Sequence, residues 1–107
     1  MIGASDIALM KQGAILINTS RGPIVDEEAM LAALQDKRIV AALDVYDREP
    51  LPLDHPLRRL SNTVLMPHMG YGVKETWDGF YPQMIENALA FMDGTPVRVS
   101  NPEVLKK

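Results

Sequence analysis

Apolar and polar positions fall in blocks along this chain, and the length and period of each block predict the element it forms. Ile7, Ala8 and Met10, within residues 4–11, lie near one face of a short helical turn, with Gly13 as its stop. AILIN (14–18) is a continuous apolar run of strand length, the pattern of a strand covered on both faces. SRGP follows as a turn, in which Gly22 is free to take unusual dihedrals and Pro23 discourages helix at Gly22. Asp26 reads as an N-cap, and Glu27 and Glu28 fall in a first turn where the helix dipole favours negative charge. Met30, Leu31, Ala33 and Leu34 form the buried stripe of that helix, which should end near Lys37 and Arg38, two cations suited to a helix C-terminus. VAALDVY (40–46) is a second strand, and NTVLM (62–66) a third, stopped by Pro67. Between them, residues 47–62 carry Pro50, Pro52, Pro56 and many charges, and are expected to form a loop.

The longest element comes last. Trp77, Phe80, Tyr81, Met84, Ile85, Ala88, Phe91 and Met92 share one helical face, predicting a helix over 73–93 closed by Gly94 at its C′ position. Pro82 predicts a kink or restart inside it. That stripe reads as core or interface, and residues 94–107 as an extended tail. Helices alternating with strands imply parallel pairing through crossovers. The expected fold is therefore α/β, with about three parallel strands and a long C-terminal helix. Such a sheet is thin beside the usual five or six strands.

Composition narrows the function classes. Apolar residues make up 47% and charged residues 23% of the 107, an ordinary globular balance. The net charge of −3 and the lack of a basic cluster argue against nucleic acid. Without cysteine there are no disulfides, thiolate metal sites or cysteine nucleophile, and the two histidines have no zinc-site arrangement, so no metal is expected. No apolar run reaches membrane-spanning length, and the first residues lack the pattern of a signal peptide, so the expected location is cytoplasmic.

Three strand endings carry the chemistry. INTSRG (17–22), LDVYDREP (43–50) and VLMPHMG (64–70) each run from apolar residues into one reactive group: Arg21, Glu49 and His68. Open α/β sheets gather ligands at the carboxyl ends of their strands, so these endings could converge. Each residue alone would be an ordinary surface or loop group. Together they supply a fixed cation for a carboxylate, a proton carrier and a carboxylate to tune it. Asp44, inside an apolar strand, is costly unless paired.

INTSRGPIVDEEAMLAAL, AALDVYDREPLPLDHPL and NTVLMPHMGY resemble the C-terminal part of the nucleotide-binding domain of the D-isomer-specific 2-hydroxyacid dehydrogenases. The likeness extends to the ENALAFMDGTPVRVSNPE ending. It implies that residues 1–107 are the C-terminal half of a dinucleotide-binding domain, an incomplete Rossmann-like fold, or half of a doubly wound parallel sheet. It implies hydride transfer between NAD or NADP and a small 2-oxo or 2-hydroxy acid. Arg21 would hold the substrate, His68 would act as general acid/base, and Glu49 would be its partner, stabilising the imidazolium. Thr19, Ser20, Arg21, Asp44, His68 and Gly70 would line the nicotinamide end, with Asp44 on the carboxamide and Gly70 allowing close backbone approach. Glutamate at 49 argues against the formate dehydrogenase branch, which places glutamine there. His55 sits in a D-H-P loop and is assigned no chemistry.

No G-x-G-x-x-G turn occurs in these 107 residues, and the position of Met1 suggests a truncated or internally started version, not expected to be active alone. The alternative expectation is a non-enzymatic, oligomerising remnant that forms a homodimer or larger assembly, with exchange of the last helix as one route. A dinucleotide sensor of corepressor type is a third reading that nothing in the sequence favours.

Overall fold

Residues 1–105 are described in a computed structural model, and by packing they divide into two units, Met1–Gly70 and the segment from Tyr71 onward. In the first unit, α1 (Ala4–Ala8) leads to β1 (Ala14–Asn18), α2 (Glu27–Gln35), β2 (Ile39–Leu43) and β3 (Thr63–Leu65). The strands form one parallel sheet in the order β1-β2-β3, with Ile15 opposite Val40, and Ala42 between Ile17 and Val64. Short 3-10 turns at Gly22–Ile24 and Pro56–Arg59 interrupt what the sequence presents as plain turn and loop.

Alternation decides which face is buried. Leu16 of β1 and Ile39, Ala41 and Leu43 of β2 point into a core shared with Ile7 of α1 and Met30 and Leu34 of α2. Leu34, Ile39 and Leu57 are fully enclosed. The opposite face is bare: Ile15 is 64% exposed, Ile17 67% and Val64 57%. The expectation of strands covered on both faces is therefore corrected for this unit. Its helices contribute to a core on one side only, so the apolar run in β1 reports sheet residues without a cover of their own.

Asp26 caps α2 as its sequence predicts, accepting the Ala29 N–H at 2.9 Å. The other end differs in detail. Lys37 takes a left-handed conformation (φ 54°), and the N–H groups of Lys37 and Arg38 close a Schellman turn on the carbonyls of Leu34 and Ala33. The Arg38 guanidinium reaches away to the Ala8 and Met10 carbonyls, so it serves the end of α1 and not that of α2. Gly22 also has a different reason from the one expected. A Cβ there would lie 2.1 Å from the Tyr46 carbonyl carbon, so glycine supplies space and not an unusual dihedral.

The second unit is built on α3 (Lys74–Met92), which runs unbroken through Pro82, so no restart occurs there. Gly94 (φ 74°) closes it as predicted, with Gly94 N–H on the Phe91 carbonyl and Thr95 N–H on that of Ala90. Trp77 packs edge-on to Tyr71 and tilted on Tyr81. The stripe read as core or interface is open here: Met84, Ile85 and Phe91 are all more than half exposed. The tail is not simply extended. Arg98 turns with φ 55° to bond Asn87 and Glu86, and Pro102–Leu105 form a 3-10 turn; Lys106 and Lys107, part of the same expectation, lie outside the described residues. Among the described residues, no helix is long and apolar enough to cross a membrane.

Replacing Gly22 by alanine should force backbone apart at a packed crossing. The expected loss is about 1–3 kcal/mol, typical of overpacking, read as a lower urea midpoint with an unchanged slope.

Candidate active site

The carboxyl ends of the three parallel strands lie side by side, and polar groups at those ends lock the loops that follow. At the end of β1, Asn18 is 7% exposed; its Nδ2 donates to the Arg21 carbonyl at 2.9 Å and its Oδ1 accepts the Ser20 N–H at 3.1 Å. That ring of bonds fixes the Thr19–Arg21 turn, leaving all three residues exposed. Gly22 then presses against the backbone of Tyr46 and Asp47, which brings the turn up to the loop after β2. Arg21 donates through Nη1 to the Ser20 carbonyl at 2.7 Å.

Beyond β2, Asp44 is buried, and each of its oxygens has a backbone partner. Oδ1 accepts the Met69 N–H at 2.8 Å and Oδ2 the Gly70 N–H at 2.7 Å. Burial pushes this carboxyl up, but those two N–H groups, the His68 charge and the His68 backbone outweigh it, so it lies below its ordinary value. A Cβ on Gly70 would sit 2.9 Å from Oδ2, so the close approach that glycine permits here is to Asp44. The clamp holds the chain where His68 takes a left-handed conformation (φ 58°), a costly one for a non-glycine residue.

His68 and Glu49 meet directly, Nδ1 to Oε2 at 2.6 Å. The other Glu49 oxygen accepts the Tyr46 N–H at 2.9 Å. The hydrogen bond with His68 is the main reason that the Glu49 carboxyl lies below its ordinary value; the Tyr46 N–H and the charges of His68 and Arg21 act the same way against a smaller desolvation effect. An ionised carboxylate only accepts, so Nδ1 carries the proton, and Nε2 has no hydrogen-bond partner among the described residues. An open groove beside the pair is lined by Tyr46, Glu49, Pro50, Pro67 and His68.

The structure thus joins Glu49 to His68, and Asp44 to the loop that carries His68 and Gly70. Arg21 stands at the same sheet end, in reach of Glu49 by its charge, without a hydrogen bond to either partner. Thr19 and Ser20 share its turn. His55, outside the site, bonds Glu27 through Nε2 at 3.1 Å and caps the Pro56–Arg59 turn. Two residues went unnoticed in the sequence. Asn18 was absorbed into an apolar strand, although a polar residue closing such a run is a signal. Tyr46 falls at the end of the second predicted strand, and nothing local marks it as part of the site.

Both carboxyls are depressed in the folded chain, so their contribution is complete above the ordinary carboxylate pKa of about 4 and is lost as pH falls from there through the folded values. The urea midpoint should stay level from neutrality to about pH 5 and drop below it. Asp44→Asn should flatten part of that acid drop and lower the neutral midpoint, because an amide nitrogen would face one backbone N–H. An acid limb as steep as that of the unmodified chain would contradict the assignment.

Residues 1–70 match the family model described as D-isomer specific 2-hydroxyacid dehydrogenase, NAD binding domain. The chain is 47% identical over 108 residues to glyoxylate/hydroxypyruvate reductase B of Enterobacter agglomerans, covering 99% of this chain and 33% of that protein. Among solved structures, it resembles the TT0316 protein of Thermus thermophilus (TM-score 0.75, 41% identity, 90% of this chain and 31% of that one). It also resembles a D-isomer specific 2-hydroxyacid dehydrogenase from Xanthobacter autotrophicus Py2 in complex with NADPH and MES (TM-score 0.62, 39% identity, 89% of this chain and 39% of that one). The chain spans about a third of the length of the curated relatives it matches. Its sheet, the span of the family match and these likenesses agree: the chain belongs to the D-isomer specific 2-hydroxyacid dehydrogenases and carries part of their NAD binding domain.

Proposed function

We propose that this chain supplies the acid/base half of an NAD(P)-dependent reduction of a small 2-oxo acid, and of the reverse oxidation. The observation that carries the reading is the 2.6 Å bond between Glu49 and His68, which leaves Nε2 free beside an open groove. Arg21 pairs with the substrate carboxylate through its guanidinium fork. His68 gives its Nε2 proton to the carbonyl oxygen during reduction and takes one from the alcohol in reverse. Glu49 stabilises the imidazolium in between and keeps the ring turned.

The residues fit the nicotinamide end of a dinucleotide. Thr19 and Ser20 are exposed on a turn held from below by Asn18, and carboxylate oxygens retain a lone pair after one hydrogen bond each, so Asp44 can accept once more. The bound cofactor supplies the hydride. No glycine-rich pyrophosphate turn occurs in these residues, so turnover is expected only where that cradle is also present.

Glyoxylate and hydroxypyruvate are the first substrates to try. Grafted in place of the matching third of the Enterobacter agglomerans reductase, this chain should sustain NADPH or NADH oxidation by one of them. His68→Gln should then lower kcat by about 10²–10⁴. Arg21→Lys should chiefly raise KM, because a point charge replaces a fork. A folded, cofactor-binding graft with no turnover, or an unchanged kcat in His68→Gln, would overturn the reading.

The bare face of Ile15, Ile17 and Val64 favours a second reading for the isolated chain, association without catalysis. Sedimentation at micromolar concentration should give a dimer or larger species. A well-folded monomer would remove that reading.

A further inference from the structure

The geometry points to Tyr46 as a positioning residue whose hydroxyl, tied to the Met66 carbonyl, holds His68 at bonding distance from Glu49. The inference rests on the acid/base reading of that pair, and it concerns a residue outside the pair.

Glu49 and His68 sit on separate loops, one after β2 and one after β3, and a 2.6 Å bond needs both loops fixed against each other. Tyr46 touches both. Its backbone N–H binds Glu49 Oε1 at 2.9 Å, which sets the carboxylate side. Its hydroxyl donates to the Met66 carbonyl at 2.8 Å, two residues before His68, with the Leu43 carbonyl a second acceptor at 3.2 Å. Met66 N–H in turn binds the Leu43 carbonyl at 2.8 Å, so the phenol closes a bridge across the ends of β2 and β3.

Asp44 already fixes the far side of His68 through Met69 and Gly70. Without the Tyr46 hydroxyl the near side would keep the β2–β3 pairing and Met66 N–H but lose the bond on the Met66 carbonyl, and the histidine could swing about its clamped end. Tyr46 is 8% exposed, and a hydroxyl taken from water needs a partner, so the bond to Met66 is one the fold cannot drop freely. Phenylalanine would fill the same space and lack only the bridge, which separates packing from positioning.

The test is nuclear magnetic resonance of the full chain with nitrogen-labelled histidine. The two histidines give an internal control, because His55 is bonded to Glu27 elsewhere in the unit. The unmodified chain should show a protected His68 Nδ1–H resonance. Tyr46→Phe should lose that resonance or move it upfield, with His55 unchanged. Leu34→Val, which loosens a fully buried site but leaves both bonds, should keep it. A His68 resonance in place in Tyr46→Phe, or one lost equally in Leu34→Val, would overturn the proposal.

If Tyr46→Phe does not fold, as loss of the His55 signal would reveal, the unmodified chain decides. Its Tyr46 hydroxyl proton should then exchange slowly and lie near Met66; a rapidly exchanging hydroxyl overturns the proposal. None of these readings depends on turnover, so they stand apart from the graft assay that tests the acid/base role itself.

Discussion

One buried carboxylate sets up the rest of the site. Asp44 sits at the end of the central strand and accepts two backbone N–H groups from the loop after β3, reaching across 25 and 26 positions of sequence. Those bonds offset the cost of burying a charge and keep it ionised. They also hold the turn in which His68 takes its left-handed conformation, and so decide where an imidazole can point. Glu49 then needs only to be brought to that place, which its bond to the Tyr46 N–H accomplishes. A strand-end carboxylate of this kind does structural and electrostatic work together. It positions the His68 imidazole while contributing negative potential beside it.

Much of this was legible from residue order alone. The three strands, the Asp26 cap and the Gly94 stop depend on local pattern, and local pattern carries them. The Glu49 and His68 pairing followed from strand-end chemistry, because parallel strands deliver their carboxyl ends to one edge. Other features have partners far away in sequence. The acceptors of Arg38 lie at and just past the end of the helix before β1, so its service to α1 has no local mark. Gly22 looks like a conformational glycine until Tyr46 is placed against it. A histidine with positive φ has no sequence signature, since few non-glycine residues occupy that region and nothing beside His68 in sequence marks it as one of them.

Burial shows a different boundary on sequence reading. Continuous apolar runs in β1 and β2 predict strands correctly, but not what lies above each face. Periodicity reports that a surface is sticky, and only packing reports whether something covers it. Ile15, Ile17 and Val64 in the sheet show how far the two can separate.

The wiring of the site has a consequence for how such proteins change over time. All the hydrogen bonds that shape it, from Asn18 through Asp44 and Tyr46 to Gly70, begin and end within residues 18–70. Recombination at the Gly70–Tyr71 junction would cut none of them. Lineages could therefore trade or remodel the helical segment that follows while inheriting the Glu49–His68 pair intact, and variation in the two segments need not proceed at the same pace.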